Sequence, residues 1–187
     1  EVPLFVNHNS VIVVDRSDPF EEGELQDRWA AYPDLLEFGV PALLYAALDV
    51  VIDSHLDAVD TLADVVDSLE DDLFVEDSRE RGESRDVQLR SFQARKALVR
   101  LRRVTQPMRE IVSGIMRRED AEHTMVQPML MPYFQDLYDH VLRVNDTIDG
   151  LRELITTIYE TRLALYDHTL NTVTRQLAAW AAIIAVP

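Results

Sequence analysis

The chain has no cysteine, only 5 glycines and 8 prolines in 187 residues, and no apolar run long enough to span a bilayer. Without thiols there are no disulfides and no thiolate chemistry, and the composition is compatible with a reducing cytosol. So few turn residues leave little room for an all-β fold, and the 47% apolar share is ample for a mostly helical core. Basic residues are also scarce, with 18 Lys and Arg against 34 acids and a formal charge of -16. Such a surface repels phosphate backbones and anionic headgroups, which makes nucleic acid a poor partner and cations good ones. No signal peptide opens the sequence. The apolar end, LAAWAAIIAVP, is eleven residues long, against roughly 20 for a span, so it amounts to half a transmembrane helix at most. There is no nucleophile elbow and no glycine-rich phosphate loop, so no enzymatic chemistry is predicted.

What is present is helix. From Tyr133 to Val186 the chain has no proline and one glycine, Gly150, which predicts a rod about 80 Å long at 1.5 Å per residue. Before it, Pro3 to Val6 and Ser10 to Val14 read as a hairpin turning at Asn7-His8-Asn9. Two strands alone are marginal, so the hairpin is expected to be the remnant of a larger sheet. A short helix is predicted over Glu21 to Ala31, closed by Pro33, with Gly39 opening the next connection. A long helix then starts with Pro41 in its first turn and runs to about Phe74. The polar run EDSRERGES reads as the tip of a helical hairpin, whose second arm covers Asp86 to Arg118 with a kink at Pro107. Glu119 to Thr124 is read as a turn into the rod. The expected division is 1–40 as the end of an N-terminal α/β domain, 41–118 as the hairpin, 125–176 as a stalk and 177–187 as the start of a membrane helix. The fold class is mainly α, and α+β in the intact domain.

The two hairpin arms differ in charge. Eleven acids and no Lys or Arg fall between Asp49 and Ser78, and ten bases and two acids between Arg85 and Arg118. Asp49, Asp53, Asp57, Asp60, Asp64, Asp67 and Asp71 recur at steps of 3 and 4, which makes one helix face a carboxylate stripe. Like charges so spaced destabilise a helix, so a compensating partner is expected. Two candidates stand: the basic arm, through Arg95, Arg102 and Arg109, or divalent cations, which favour carboxylate oxygens.

The rod carries two apolar stripes in succession. Leu137, Val141, Val144, Ile148, Leu151, Ile155 and Ile158 follow the coiled-coil rhythm. The register then slips by one residue, and Tyr159, Leu163, Tyr166, Leu170, Val173, Leu177, Trp180 and Ile184 continue on a face turned by about 100°. The first stripe is expected to pack on the hairpin, the second on other copies of the rod or on a membrane. The remaining face, Glu160, Ala164, Asp167, Asn171, Thr174 and Ala178, is polar or small. On a lone stalk it is simply the solvated side; in a ring of parallel copies it lines a pore suited to hydrated cations.

Several segments in order resemble the CorA family of magnesium and cobalt ion transporters. They are ALLYAALDVVID, LEDDL, LRRVTQPMREIVSGIMRRE, PYFQDLYDHVLRVNDTID and LNTVTRQLAAWAAIIAVP, of which PYFQDLYDH is the most specific. The resemblance implies the cytosolic gating and Mg2+-sensing portion of a homopentameric divalent-cation channel in the cell's inner membrane. Mg2+ would be both regulator and cargo, and Co2+ a possible cargo. It further implies that Pro187 falls inside the first membrane span, with the family's YGMN motif beyond it. Asp136 resembles the residue that binds regulatory Mg2+ between protomers, and Asp49 a second contributor; with Asp53 they form the candidate regulatory set. Glu160, Asp167 and Asn171 resemble pore-facing positions, with Thr174 and Leu177 at the narrow hydrophobic gate. Thr174 departs from the bulkier apolar residue usual there. The alternatives are a zinc transporter of the ZntB type and a non-transporting, PhoU-like metal-binding bundle using the acidic stripe.

Other residues carry less. Asp136 and His140 stand i, i+4 apart and supply two ligands of an incomplete transition-metal site. His55 and His168 are isolated on helices, and Trp29 and Trp180 read as packing residues, Trp180 suiting a membrane boundary.

Overall fold

A computed structural model describes residues 3–7, 9–14, 24–31, 33–74, 81–117, 119–120, 123–124 and 126–185. Strands β1 (Leu4–Asn7) and β2 (Ser10–Val13) pair antiparallel with Leu4 opposite Val13 and Asn7 opposite Ser10, as the hairpin pattern predicts. Helix α1 (Glu24–Ala30) follows. Pro33 opens a 3-10 helix, Pro33–Phe38, where the sequence had suggested only a stop. Gly39 then takes a left-handed backbone, φ 63°, at which a side chain would be strained. This frees the chain to enter α2 (Val40–Phe74) with Pro41 in its first turn.

Helix α3 (Arg81–Arg117) returns antiparallel to α2 and runs unbroken through Pro107, which is exposed. Its start absorbs residues 81–84 of the predicted polar tip; residues 76–80 of that tip lie outside the described ones. The turn expected at Glu119 to Thr124 contains a miniature hairpin of β3 (Glu119–Asp120) and β4 (His123–Thr124). Then comes α4 (Met131–Ala185), 55 residues and about 80 Å long. No helix among the described residues is long and apolar enough to cross a membrane.

The three long helices share two apolar clusters stacked along the bundle. At the hairpin end, Tyr45, Leu48 and Ile52 of α2 meet Val112 of α3 and Phe134, Leu137 and Val141 of α4. Further along, Val59, Val66 and Leu69 meet Ala94 and Leu98 and the α4 residues Val144 to Ile158. Between the clusters a polar pin sets the register of α3 on α4: the buried Thr105 hydroxyl donates to Asn145 Oδ1 at 3.0 Å, and the Asn145 amide donates back to the Thr105 carbonyl at 3.4 Å and to the Val141 carbonyl of its own helix at 2.8 Å. A slip of either helix would break both bonds between Thr105 and Asn145 in an apolar surrounding.

All seven residues of the first predicted stripe of α4 are buried, ending with Ile158 at 3% exposure. Every described side chain from Leu163 onward is exposed, including Leu170, Val173, Leu177 and Trp180. The register slip therefore marks the point where α4 leaves its own bundle.

The basic arm does not neutralise the acidic stripe. Arg102 pairs with Asp149 of α4 at 2.8 Å, and Arg109 Nε donates to the Tyr138 hydroxyl at 3.2 Å, so both turn toward α4. The α3-facing flank of α2 offers Asp72 and Ser68 instead, and Arg90 takes both, at 2.8 and 2.7 Å. Asp57, Asp60, Asp64, Asp67 and Asp71 are exposed, and among the described residues none has an ion-pair partner.

Truncating Leu98 or Ile148 to alanine is expected to cost about 2–5 kcal/mol in urea unfolding of the 187-residue chain, because each leaves a cavity between helices. The same change at Leu170 should stay within about 0.5 kcal/mol, since its side chain is 63% exposed.

Candidate metal centre

The hairpin end of the bundle assembles a cluster from three helices. Tyr45 of α2 packs edge-on against Tyr133 and Phe134 of α4, at ring-centroid distances of 5.6 and 5.9 Å, which fixes the level of one helix against the other. One turn beyond these rings, α2 presents Asp49 and then Asp53, and α4 presents Asp136 and then His140. Both pairs are spaced i, i+4, so each lies on one helix face. Asp49, Asp53 and His140 each place a ligand atom within 4.8 Å of the other two. Asp136 stands at the edge of the group, its carboxylate 68% exposed and 4.0 Å from His140 Nε2. The three carboxylates singled out from the sequence thus sit together.

Sequence reasoning missed a fifth member. Arg28, on α1, forks its guanidinium between two carboxylates: Nη1 lies 2.9 Å from Asp49 Oδ2 and Nη2 2.5 Å from Asp53 Oδ2. Two charge-assisted bonds from one planar group hold α1 against α2 at a defined angle. A signal for this was available, since Arg28 is the only Lys or Arg between Arg16 and Arg79. His140, which the sequence paired only with Asp136, belongs to the same group.

Asp49 is buried, at 6% exposure, although its charge is met by Arg28. Burial pushes its carboxyl above the usual range and Asp53 adds to that; Arg28 and His140 pull it down, and Asp136 raises it slightly. Desolvation wins, so one guanidinium does not fully compensate this carboxylate. His140 Nδ1 is also buried and has no hydrogen-bond partner among the described residues, an unusual state for a buried polar atom. Carboxylate oxygens suit a hard divalent cation such as Mg2+, and an imidazole nitrogen extends the set toward Co2+. The donors therefore fit a divalent ion, with Arg28 already covering part of the same negative surface.

The proposed pore positions are elsewhere. Glu160, Asp167, Asn171, Thr174 and Leu177 lie on the exposed part of α4, starting about 30 Å along the helix from His140. Thr174 spends its hydroxyl on the Leu170 carbonyl at 2.8 Å.

The shift at Asp49 yields a pH test. With its carboxyl raised on folding, the folded chain keeps this proton to higher pH than the unfolded chain, so the associated stability is present at low pH. It is lost as pH rises from the ordinary carboxylate range through the raised value. In metal-free protein, Asp49→Asn, neutral throughout, should gain in thermal midpoint relative to wild type across that window. A difference that does not change with pH contradicts the desolvation of Asp49.

A family model described as a CorA-like Mg2+ transporter protein matches residues 1–187. Among curated proteins the chain is 29% identical over 141 residues to the cobalt/magnesium transport protein CorA of Thermotoga maritima, covering 75% of the chain and 38% of that protein. It is 23% identical over 183 residues to the putative metal ion transporter YfjQ of Bacillus subtilis, covering 98% of the chain and 54% of that protein. The chain thus spans about half the length, or less, of these relatives. In fold it matches the complete CorA magnesium transporter of Methanocaldococcus jannaschii with TM-score 0.79 at 22% identity, covering 98% of the chain and 56% of that structure. The soluble domain of the same protein matches with TM-score 0.69 at 21% identity, over 88% of the chain and 63% of that structure. With a family model covering its whole length and a hairpin-and-rod fold to match, the chain belongs to the CorA-like Mg2+ transporter family.

Proposed function

We propose that the chain is the cytosolic gating and Mg2+-sensing portion of a CorA-type divalent-cation channel, assembled as a homopentamer in the cell membrane. The observation that carries this reading is the change of face on α4. Its buried stripe ends at Ile158, and the next apolar stripe, through Leu170, Val173, Leu177 and Trp180, is exposed, with no partner surface among the described residues. Five parallel copies of α4 would bury that stripe against one another. They would also turn Glu160, Asp167 and Asn171 toward a common axis, with Thr174 and Leu177 forming the narrow level below. Successive rings of carboxylate and carboxamide oxygens suit Mg2+, and Co2+, passing with much of their water in place. At the narrow level the Thr174 hydroxyl is bonded to its own helix, which leaves its methyl as the surface offered to the axis.

In the sensing half, Asp49 and Asp53 are held by Arg28 within the protomer, while Asp136 presents an exposed carboxylate outward. A regulatory Mg2+ supplies the positive charge that lets Asp136 approach carboxylates of a neighbouring copy. With that charge in place the stalks stand in a closed, symmetric ring. Without it the carboxylates repel, the stalks separate and the pore wets, which is a ligand-linked shift between two populations. No enzymatic role is assigned. The family match over 1–187 supports transport over a PhoU-like regulator, and Mg2+ and Co2+ are favoured over the zinc of a ZntB-like protein by the relative named for both ions.

Two measurements test this. Millimolar Mg2+ should slow proteolysis of the full-length protein, and Asp136→Ala should abolish that protection; protection unchanged by Asp136→Ala and by Asp49→Ala counts against the sensing role. Replacing Asn171 with leucine, which removes a polar ring from the proposed path, should lower Mg2+ uptake into vesicles with assembly intact. Unaltered uptake argues against a stalk-lined pore.

A further inference from the structure

Two seams of the bundle are left over once its internal pairing is complete. On α2, Asp57, Asp60, Asp64, Asp67 and Asp71 are exposed and without partners among the described residues. Their steps of 3 and 4 put them on one face, about 100° around the helix from the flank where Asp72 and Ser68 hold Arg90. On α3, Leu89, Phe92, Lys96, Val99 and Arg103 repeat at the same steps and are all exposed, with Phe92 at 65%. Ala97 and Leu101 face α2 across a groove with Ala58 and Leu62, which Lys96 also lines, so this second seam runs beside the α2 contact, with Lys96 at its inner margin. It points away from α4, because Arg102, Thr105 and Arg109 take that side. The protomer therefore carries an acidic seam on one flank and a basic, partly apolar seam on another.

Their levels also agree. Arg90 lies opposite Ser68 and Asp72, so along this antiparallel pair Asp57 stands at about the level of Arg103 and Asp64 at that of Lys96, by the rise of each helix. In a ring whose axis runs along the bundle, neighbours are related by rotation, and levels are conserved from copy to copy. The acids of one copy would then meet the bases of the next in a contact that closes head to tail.

We propose that the α2 acidic seam of one copy docks on the α3 seam of the next, with Asp57 against Arg103 and Asp64 against Lys96. Phe92 and Val99 flank the cations and exclude water from the pairs, which strengthens them. The contact relieves the like-charge repulsion that the protomer leaves along α2. It rests on the ring proposed above, but it concerns the outer hairpins and not the stalk.

The test uses the absence of cysteine from these 187 residues. In the full-length protein, with any cysteines outside this chain replaced by serine, Asp64→Cys and Lys96→Cys are made singly and together and oxidised in membranes. Leu170→Cys serves as a stalk control. The double variant should give a ladder of covalent multimers and neither single variant should, because in a head-to-tail contact like residues do not meet. A second arm reverses charge: Asp57→Lys with Asp64→Lys should weaken cross-linking between separate reporter cysteines at Asp60 and Val99, and adding Lys96→Asp with Arg103→Asp should restore it. A stalk ladder without a hairpin ladder overturns the docking proposal and leaves the ring standing. Absence of both overturns both, and cross-linking of Asp64→Cys to an unrelated polypeptide overturns the choice of a second copy as occupant.

Discussion

The structure turns on the cost of burying the carboxylate of Asp49. It sits where α1, α2 and α4 converge, and taking it out of water is unfavourable unless a cation meets it. Arg28 meets it, and because the same guanidinium also grips Asp53, the short helix α1 is tied to α2 by a fork instead of by apolar area alone. Yet the carboxyl remains raised above its ordinary range, because burial and the neighbouring Asp53 outweigh the guanidinium.

Helix α4 is the element through which such a site could act at a distance. Asp136 and His140 lie near one end of the same rigid helix whose far part carries Asp167, Asn171 and Thr174. The Thr105–Asn145 pin and the Arg102–Asp149 pair fasten the near half to α3, while the described side chains from Leu163 onward are exposed. A change at the cluster therefore has few ways to express itself other than by moving the free half of α4 relative to its neighbours. Coupling by a rigid element with two arrangements is the physically direct form of such communication.

Much of the fold could be read from the residues. The stripe from Leu137 to Ile158 and the slip at Tyr159 were legible because helical periodicity and burial report the same face, and the residues involved are large and apolar. The span of α2 and the hairpin of β1 and β2 were legible too, while Asp49 and Asp136 were singled out through a family resemblance and not through spacing. What failed were inferences about which charged side chains meet. Arg95, Arg102 and Arg109 have the spacing to face α2, but which flank of α3 turns inward is decided by Ala94, Leu98 and Val112, and these carry Arg102 and Arg109 toward α4. Arg28 was hidden for a similar reason: its partners lie 21 and 25 residues away, and no helical rhythm links α1 to α2.

The central claim is that Arg28 and a divalent cation draw on the same carboxylates. It is tested most directly by calorimetric titration of Mg2+ into the full-length protein and its Arg28→Met variant, which keeps the length of the side chain and removes its charge. The account predicts tighter apparent Mg2+ binding in the variant, because the ion no longer competes with a resident guanidinium. Equal or weaker binding in a folded variant would contradict it.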